Sequence, residues 1–209
     1  MRHLLSGFFL MIGFSAFAQF SLESNFNVVH IGRNQNILAK YQWNKFSLNA
    51  GIKYNFNKLA SFPQSQTHFF KKTFWAIDFI EHIGAEMGFD FNILEKESID
   101  LFGFYQVQVT KSHIRHEVYY ASFPLNPDPQ SQYDYAYALN LNYIGPIWAF
   151  ENNLGIGMRA YFSKSFYFST KIGGGIAFYK NLDKNNILIG NLWELSEMVS
   201  FGLGWKFLK

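Results

Sequence analysis

The sequence predicts an all-β protein, a transmembrane antiparallel up-and-down barrel of ten strands with eight as the alternative. Three observations predict it. Apolar and polar residues alternate with period two almost without interruption from Phe20 to Lys209. The polar row carries charges that an oily barrel interior cannot accept. Rings are abundant, with 25 Phe, 12 Tyr and 5 Trp in 209 residues, yet only 16% of residues are charged. No stretch of the mature chain reaches the roughly 20 apolar residues of a helical membrane span.

The N-terminus is an address. Residues 1–19 read MRHLLSGFFLMIGFSAFAQ: basic Arg2, an apolar run from Leu4 to Phe17, then small residues Ala16 and Ala18 flanking Phe17. That is the pattern of a secretory signal peptide over 1–18, with cleavage after Ala18 and a barrel domain over 19–209. The chain has no cysteine, which excludes lipoprotein anchoring, disulfides, thiolate metal sites and a cysteine nucleophile. A net charge of +3, spread without a basic run, gives no expectation of nucleic-acid binding.

The strands follow in order. Phe20, Leu22, Phe26 and Val28 face away from Glu23, Asn25 and Asn27; Ile37, Ala39, Tyr41 and Trp43 oppose Lys40 and Gln42. Phe46, Leu48, Ala50, Ile52, Tyr54 and Phe56 alternate with Ser47, Asn49, Gly51, Lys53 and Asn55. Ile77, Phe79, Ile83, Ala85, Met87, Phe89, Phe91 and Ile93 form one row against Asp78, His82, Glu86, Asp90 and Asn92, broken once by Glu81. Ile99, Leu101, Tyr105, Val107 and Val109 oppose Asp100, Gln106 and Gln108; Tyr133 to Tyr143 alternate with Asp134, Asn140 and Asn142. Trp148, Phe150, Leu154, Ile156, Met158 and Phe162 oppose Glu151, Asn153 and Arg159; Phe166, Phe168, Ile172, Ile176 and Phe178 oppose Ser169 and Lys171. The alternation is weakest at 186–194 and returns from Val199 to Phe207. Ten strands result, centred in 20–31, 36–44, 46–57, 74–94, 98–119, 133–144, 147–162, 166–180, 186–194 and 198–208. The eight-strand count requires 36–57 to be one bulged strand and 20–31 to lie outside the sheet. With both chain ends on one side, the long connections 57–73 and 120–132 fall on the far side, and the turns at 95–97 and 144–146 on the near side. Long loops on one rim and tight turns on the other is the asymmetry of membrane barrels.

The apolar face decides the medium. A soluble barrel would have to bury Lys53, Asp78, Glu86, Asp90, Asp100, Glu151, Arg159 and Lys171 in an apolar core. In a membrane barrel the same residues line the lumen and pair as a salt-bridge network, while the rings meet lipid. Tyr133, Tyr143, Trp148, Phe162, Tyr179 and Trp205 are expected in the interfacial girdles.

The C-terminal run Ser200, Gly202, Trp205 and Phe207 has the polar-x-Gly-x-x-aromatic-x-aromatic spacing of an outer-membrane assembly signal, followed by Leu208 and Lys209. With the leader and the barrel pattern, the chain resembles the small outer-membrane β-barrel proteins of Gram-negative bacteria, especially those of Bacteroidota. The resemblance implies an outer-membrane location, assembly by the barrel-assembly machinery, and contact with outer-membrane lipid and lipopolysaccharide as a monomer.

Chemistry is sparse. The one cluster of nucleophile and base types is Ser112-His113-Ile114-Arg115-His116-Glu117, but Ser112 and His113 alternate faces, and Ser112 and His116 lie about 13 Å apart along an extended strand. His113 and His116 likewise face opposite ways, so no metal site is expected. Gly173-Gly174-Gly175 lacks the following helix of a phosphate loop and is expected to relieve crowding. No catalytic residue, metal or cofactor is therefore expected. The function predicted is non-enzymatic, structural or interactive, through loops 57–73 (with Lys71 and Lys72) and 120–132. A narrow pore or transporter for small polar solutes is the alternative, and a lipid-modifying enzyme the third.

Overall fold

The computed structural model describes residues 18–56, 78–124, 135–182 and 192–207; over 115–124 and 135–144, and at Ala18, Asp78 and Leu192, it describes the backbone alone. The leader 1–17, the whole 57–77 connection with His68, Lys71 and Lys72, and residues 125–134, 183–191 and 208–209 lie outside the described residues.

Period-two patterning produces strands throughout: β1 (Ala18–Val29), β2 (Gly32–Trp43), β3 (Phe46–Phe56), β4 (Asp78–Phe79), β5 (Ile83–Glu95), β6 (Ile99–Pro124), β7 (Tyr135–Tyr161), β8 (Phe166–Asn181) and β9 (Leu192–Lys206). All pairings are antiparallel and join sequence neighbours, except that the two-residue β4 pairs with Arg115 and Ile114 of β6 beyond the end of β5. β4 and β5 thus form one stave interrupted at 80–82. β1 pairs with β9 from Ser21↔Lys206 to Val29↔Met198, which closes the sheet into an eight-stave barrel.

The favoured count of ten is corrected, and so is the route to eight. Residues 32–43 and 46–56 are separate strands, and 18–29 is the stave that closes the barrel. Two pairs of predicted strands are instead continuous. The described parts of 133–144 and 147–162 are continuous in β7, and those of 186–194 and 198–208, from Leu192 on, are continuous in β9. Ile144-Gly145-Pro146 is therefore no near-side turn. The pairing slips there, from Ser112↔Ile147 to Ile114↔Ile144, so Pro146 occupies a bulge where a missing N–H breaks no ladder bond. Its carbonyl still accepts from Leu182 N at 3.0 Å.

Both chain ends lie at the near rim, with the short connections 44–45, 96–98 and 162–165. The long connections 57–77, 125–134 and 182–191 open at the far rim, beside the tight turn 30–31. Residues 120–124, expected as loop, are still strand. β6 and β7, at 26 and 27 residues, are roughly twice as long as β1–β3. Past Arg115 and Tyr143, where the β4 pairing ends, they continue among the described residues as a paired arm over nine residue positions of β6, about 30 Å at the usual rise per residue.

Burial is inverted relative to a water-soluble barrel. Among the described residues, 28 buried side chains are polar or charged against 13 hydrophobic, while 32 large hydrophobic side chains are exposed on the outer wall. The outward rows include Leu48, Ile52, Met87, Leu154, Ile156, Ile172, Leu203 and Trp205. Near the near rim they join as a run of rings: Phe20, Tyr41, Trp43, Phe46 and Phe91 in one chain of contacts, Phe162, Phe166, Trp205 and Phe207 in another.

Two predicted outward rings turn inward. Tyr179, expected in a girdle, is buried with Ala177, because β8 parity places odd positions inside from Tyr167 onward. Phe79, expected on the apolar row of Ile83, is buried because the break at 80–82 resets the alternation. These two join Val29, Ile31, Ile114, Ile147 and Ala149 in an apolar cluster inside the barrel.

Candidate functional site: a charged lumen and two rims

The lumen charges come from inward positions on every stave. In its near half, Glu23 of β1, Lys40 of β2, Asp90 of β5, Arg159 of β7 and Lys171 of β8 converge. Lys40 Nζ bridges Glu23 and Asp90, each at 2.9 Å. Arg159 reaches Asp90 at 2.5 Å and donates to Asn92 Oδ1 at 3.0 Å, with Asp100 at 4.0 Å. Lys171 lies 3.7 Å from Glu23, whose carboxylate also accepts from Tyr167 Oη at 2.8 Å and Asn25 Nδ2 at 2.9 Å. These contacts tie six staves into one interlocked group, and each buried charge has an opposite charge or several donors, as burial demands.

Two rings complete this half. The Arg159 guanidinium lies 4.0 Å from the Phe102 ring centre, and Lys40 and Lys171 lie 5.9 and 5.7 Å from Phe102 and Phe104. Glycines make room for them. A Cβ on Gly157 would strike Phe102, one on Gly173 would lie 2.8 Å from Phe104, and one on Gly204 would enter the Tyr167 ring.

The far half is a second group. Lys53 pairs with Glu151 at 3.4 Å, and Glu86 accepts from Asn36 and, at 3.0 Å, from Gln108. Asn34 donates to Gln108 at 3.0 Å and Asn27 to Asn34 at 2.8 Å. At the far rim His30, in the turn after β1, meets Glu194 of β9 at 2.6 Å.

Of the sequence-predicted lumen residues, Lys53, Glu86, Asp90, Asp100, Glu151, Arg159 and Lys171 are all buried inside the barrel. Asp78 sits in β4 beyond the bend, at the far rim, and its side chain lies outside the described set. Sequence reading omitted Glu23 and Lys40, which like Asp90 and Arg159 each meet two opposite charges, although both stand on polar rows. It also omitted His30 and Glu194, which flank the segments where alternation weakens.

Of the assembly-signal residues, Ser200 and Gly202 face the lumen, while Trp205 and Phe207 face out at 46% exposure each. A Cβ on Gly202 would strike the Asn25 side chain and press on Ser169 Oγ at 2.6 Å. Packing alone therefore asks for glycine there.

The Ser112 cluster offers no hydroxyl–imidazole pair among the described side chains. Ser112 Oγ accepts from Glu81 N at 2.9 Å and lies 2.7 Å from Glu81 Oε2 and 2.6 Å from the His113 carbonyl. His113 Nδ1 meets the other Glu81 oxygen at 2.9 Å. Glu81 bridges serine and histidine, which face opposite sides of β6, so the imidazole has no route to the serine proton. The carboxyl of Glu81 is pulled down to about 2, first by the His113 side chain and then by Ser112. Among the described residues no cluster of His, Asp and Glu has metal-ligand geometry.

At the near mouth a recess of about 560 Å³ is lined by Glu95, Lys96, Glu97, Asp100, Lys164 and Lys206 among others. Lys206 crosses it to lie 4.1 Å from the Tyr161 ring centre. Below it lies the buried Arg159 group.

No protein-family profile and no curated relative matches the sequence. Among solved structures, the chain is similar to Neisserial surface protein A at 10% identity and a TM-score of 0.36, covering 91% of this chain and 96% of that one. It is similar at 12% identity and the same TM-score to Ail, the attachment invasion locus protein of Yersinia pestis, solved with the heparin analogue sucrose octasulfate, covering 91% and 97%. Likeness at this level adds no weight: the closed antiparallel barrel of eight staves, apolar outside and charged inside, stands on this chain's own geometry.

Proposed function

We propose that this chain is an integral outer-membrane barrel without enzymatic activity, sealed along its axis, that serves as a rigid anchor for an outward-reaching β6–β7 arm. The inverted wall supports membrane insertion. A shell of 32 large exposed hydrophobic residues is costly in water and matched by hydrocarbon, and the staves exceed the roughly 9–11 residues a tilted strand needs to cross. The leader, the near-rim termini and the long far-rim connections support a periplasmic near side and an extracellular far side.

The observation that carries the role is the length of β6 and β7. A pore has no use for two staves that outrun their described neighbours by about 30 Å, and a small eight-stave lumen fills with side chains. An arm of this length suits contact with surface ligands or a partner protein beyond the lipid headgroups.

The test is SDS mobility of the detergent-folded mature chain, boiled against unboiled, followed by planar-bilayer recording and protease treatment of intact cells. A heat-dependent shift, no discrete conductance and cleavage confined to the far-rim connections 57–77, 125–134 and 182–191 are expected. A soluble protein without a shift would sink the membrane reading.

The near-mouth recess favours a second reading, a narrow pore for small polar solutes. It predicts discrete conductance altered by Glu151→Ala or Arg159→Ala.

A further inference from the structure

Charges are rare on the outer wall, and two of them are neighbours. Lys111 of β6, Trp148 of β7 and Lys180 of β8 are register partners in one row across three adjacent staves, Lys111↔Trp148 and Trp148↔Lys180. All three occupy outward positions, the two lysines exposed. Lys111 Nζ lies 5.8 Å from the Trp148 ring centre. The lysine Cα positions are two strand spacings apart, about 10 Å.

Two residues toward the barrel middle, the next outward row is Val109, Phe150 and Phe178, again register partners. Phe150 touches both Phe178 (ring centres 6.5 Å) and Trp148 (5.7 Å, stacked). Three staves therefore present, in order toward the far rim, an apolar row and then a row in which an indole stands between two cations. This sequence of chemistries matches an amphiphile standing upright: acyl chain against Phe150 and Phe178, interface at Trp148, anion between the lysines. Beyond Lys111 the pairing of β6 with β7 slips between Ser112 and Ile114. The row Val28, Arg33, Phe56, at the same rim on β1–β3, carries a single cation between apolar partners.

We infer that Lys111, Trp148 and Lys180 form a binding site for a phosphorylated lipid headgroup of the outer leaflet. The site rests on the membrane reading above and on its assignment of the far rim to the outer leaflet. Each lysine contributes a point charge at the headgroup level, and the rigid sheet holds the pair at fixed separation, so no ordering of a loop is needed for binding.

The test titrates the full mature barrel, folded in zwitterionic detergent, with diphosphorylated lipid A, with lipid A stripped of its phosphates, and with inorganic phosphate, counting bound lipid by native mass spectrometry. One lysine near an anionic surface accounts for about fivefold in affinity, so Lys111→Gln/Lys180→Gln should weaken diphosphorylated lipid A by about 25-fold. The same change should leave the stripped lipid unaffected. Lys164→Gln, at the near rim, should change neither. Equal binding of both lipids by the unmodified barrel, or an unchanged double variant, overturns the site. Displacement of the lipid by inorganic phosphate overturns the lipid assignment in favour of a free-anion site. A heat-dependent gel shift in the same samples separates these failures from failure of the membrane reading: with the shift present, only this site falls; with it absent, both do.

Discussion

The guanidinium of Arg159 stacks on Phe102 at 4.0 Å while it reaches Asp90 at 2.5 Å, so one side chain joins the ring-filled and the charged parts of the near lumen. Arg159→Met keeps volume and loses both roles. Asp90 then keeps Lys40 as its partner, which limits the damage, and breaking a buried pair from one side costs about 3 kcal/mol under those conditions. Arg159→Lys retains charge but cannot stack and fork together, and should fall between. The measurement is the urea midpoint of the heat-modifiable band in detergent. In a double-mutant cycle Asp90→Asn/Arg159→Met should cost less than the two single changes added, because no uncompensated carboxylate remains.

Glycine positions divide by what a methyl group would meet. Gly204→Ala places a Cβ inside the ring of Tyr167, itself fixed by its bond to Glu23, and overpacking of this kind costs about 1–3 kcal/mol. Gly103→Ala on the outer wall meets nothing closer than the Gly155 carbonyl at 3.9 Å and should be neutral or slightly stabilising. The same urea assay compares them, and equal effects would show that Tyr167 yields freely.

Most of the wall was legible because one physical rule, apolar to lipid and polar to lumen, acts on every residue of every stave. The rule failed where something local competed. Gly145-Pro146 has turn chemistry, yet pairing on both flanks carries the strand through it as a bulge. β9 crosses Glu194 to Glu197, where two carboxylates and Ser196 blur the apolar row and suggest a gap between strands. Phe79 and Tyr179 are rings on inward positions, and a ring by itself does not say which side of a sheet it fills. Membership of the lumen network was readable as polarity, but the leading role of Glu23 and Lys40 was not. It depends on Lys40 of β2 reaching Asp90 of β5 over β3, and Glu23 of β1 reaching Lys171 of β8 over β9, relations set by strand order and barrel closure and absent from any one strand's pattern.

The assembly signal makes a prediction that separates recognition from stability. Phe207 is half exposed on the outer wall and, among the described residues, its one ring contact is with Trp205, tilted at 44° with ring centres 4.8 Å apart. Phe207→Ala should therefore leave the detergent-refolded barrel within about 1 kcal/mol of the parent, since little burial in the protein is lost. In cells the fraction of heat-modifiable protein reaching the outer membrane should fall severalfold. Gly202→Ala should fail in both assays, because Asn25 and Ser169 occupy the space its methyl group needs. If Phe207→Ala assembles normally, the C-terminal motif is packing alone.

The Glu81 clasp carries the pH dependence outside the membrane. Glu81 accepts from the His113 backbone N at 2.6 Å and from its side chain, fastening the bend at 80–82 to the bulge of β6. Its carboxyl titrates at about 2 in the folded protein, below the about 4.3 of an unfolded chain. A depressed carboxyl stabilises the clasp above the unfolded value and loses that contribution as pH falls from about 4.3 toward 2. Protection of the His113 amide from hydrogen exchange, corrected for intrinsic rates, should hold from pH 6 to about 4.5 and decline through the window between the two values. Glu81→Gln keeps an acceptor of the same shape but no charge to titrate, so its protection should be lower at pH 6 and flat through that window. A declining profile in Glu81→Gln would assign the acid sensitivity to another group and remove Glu81 from the clasp.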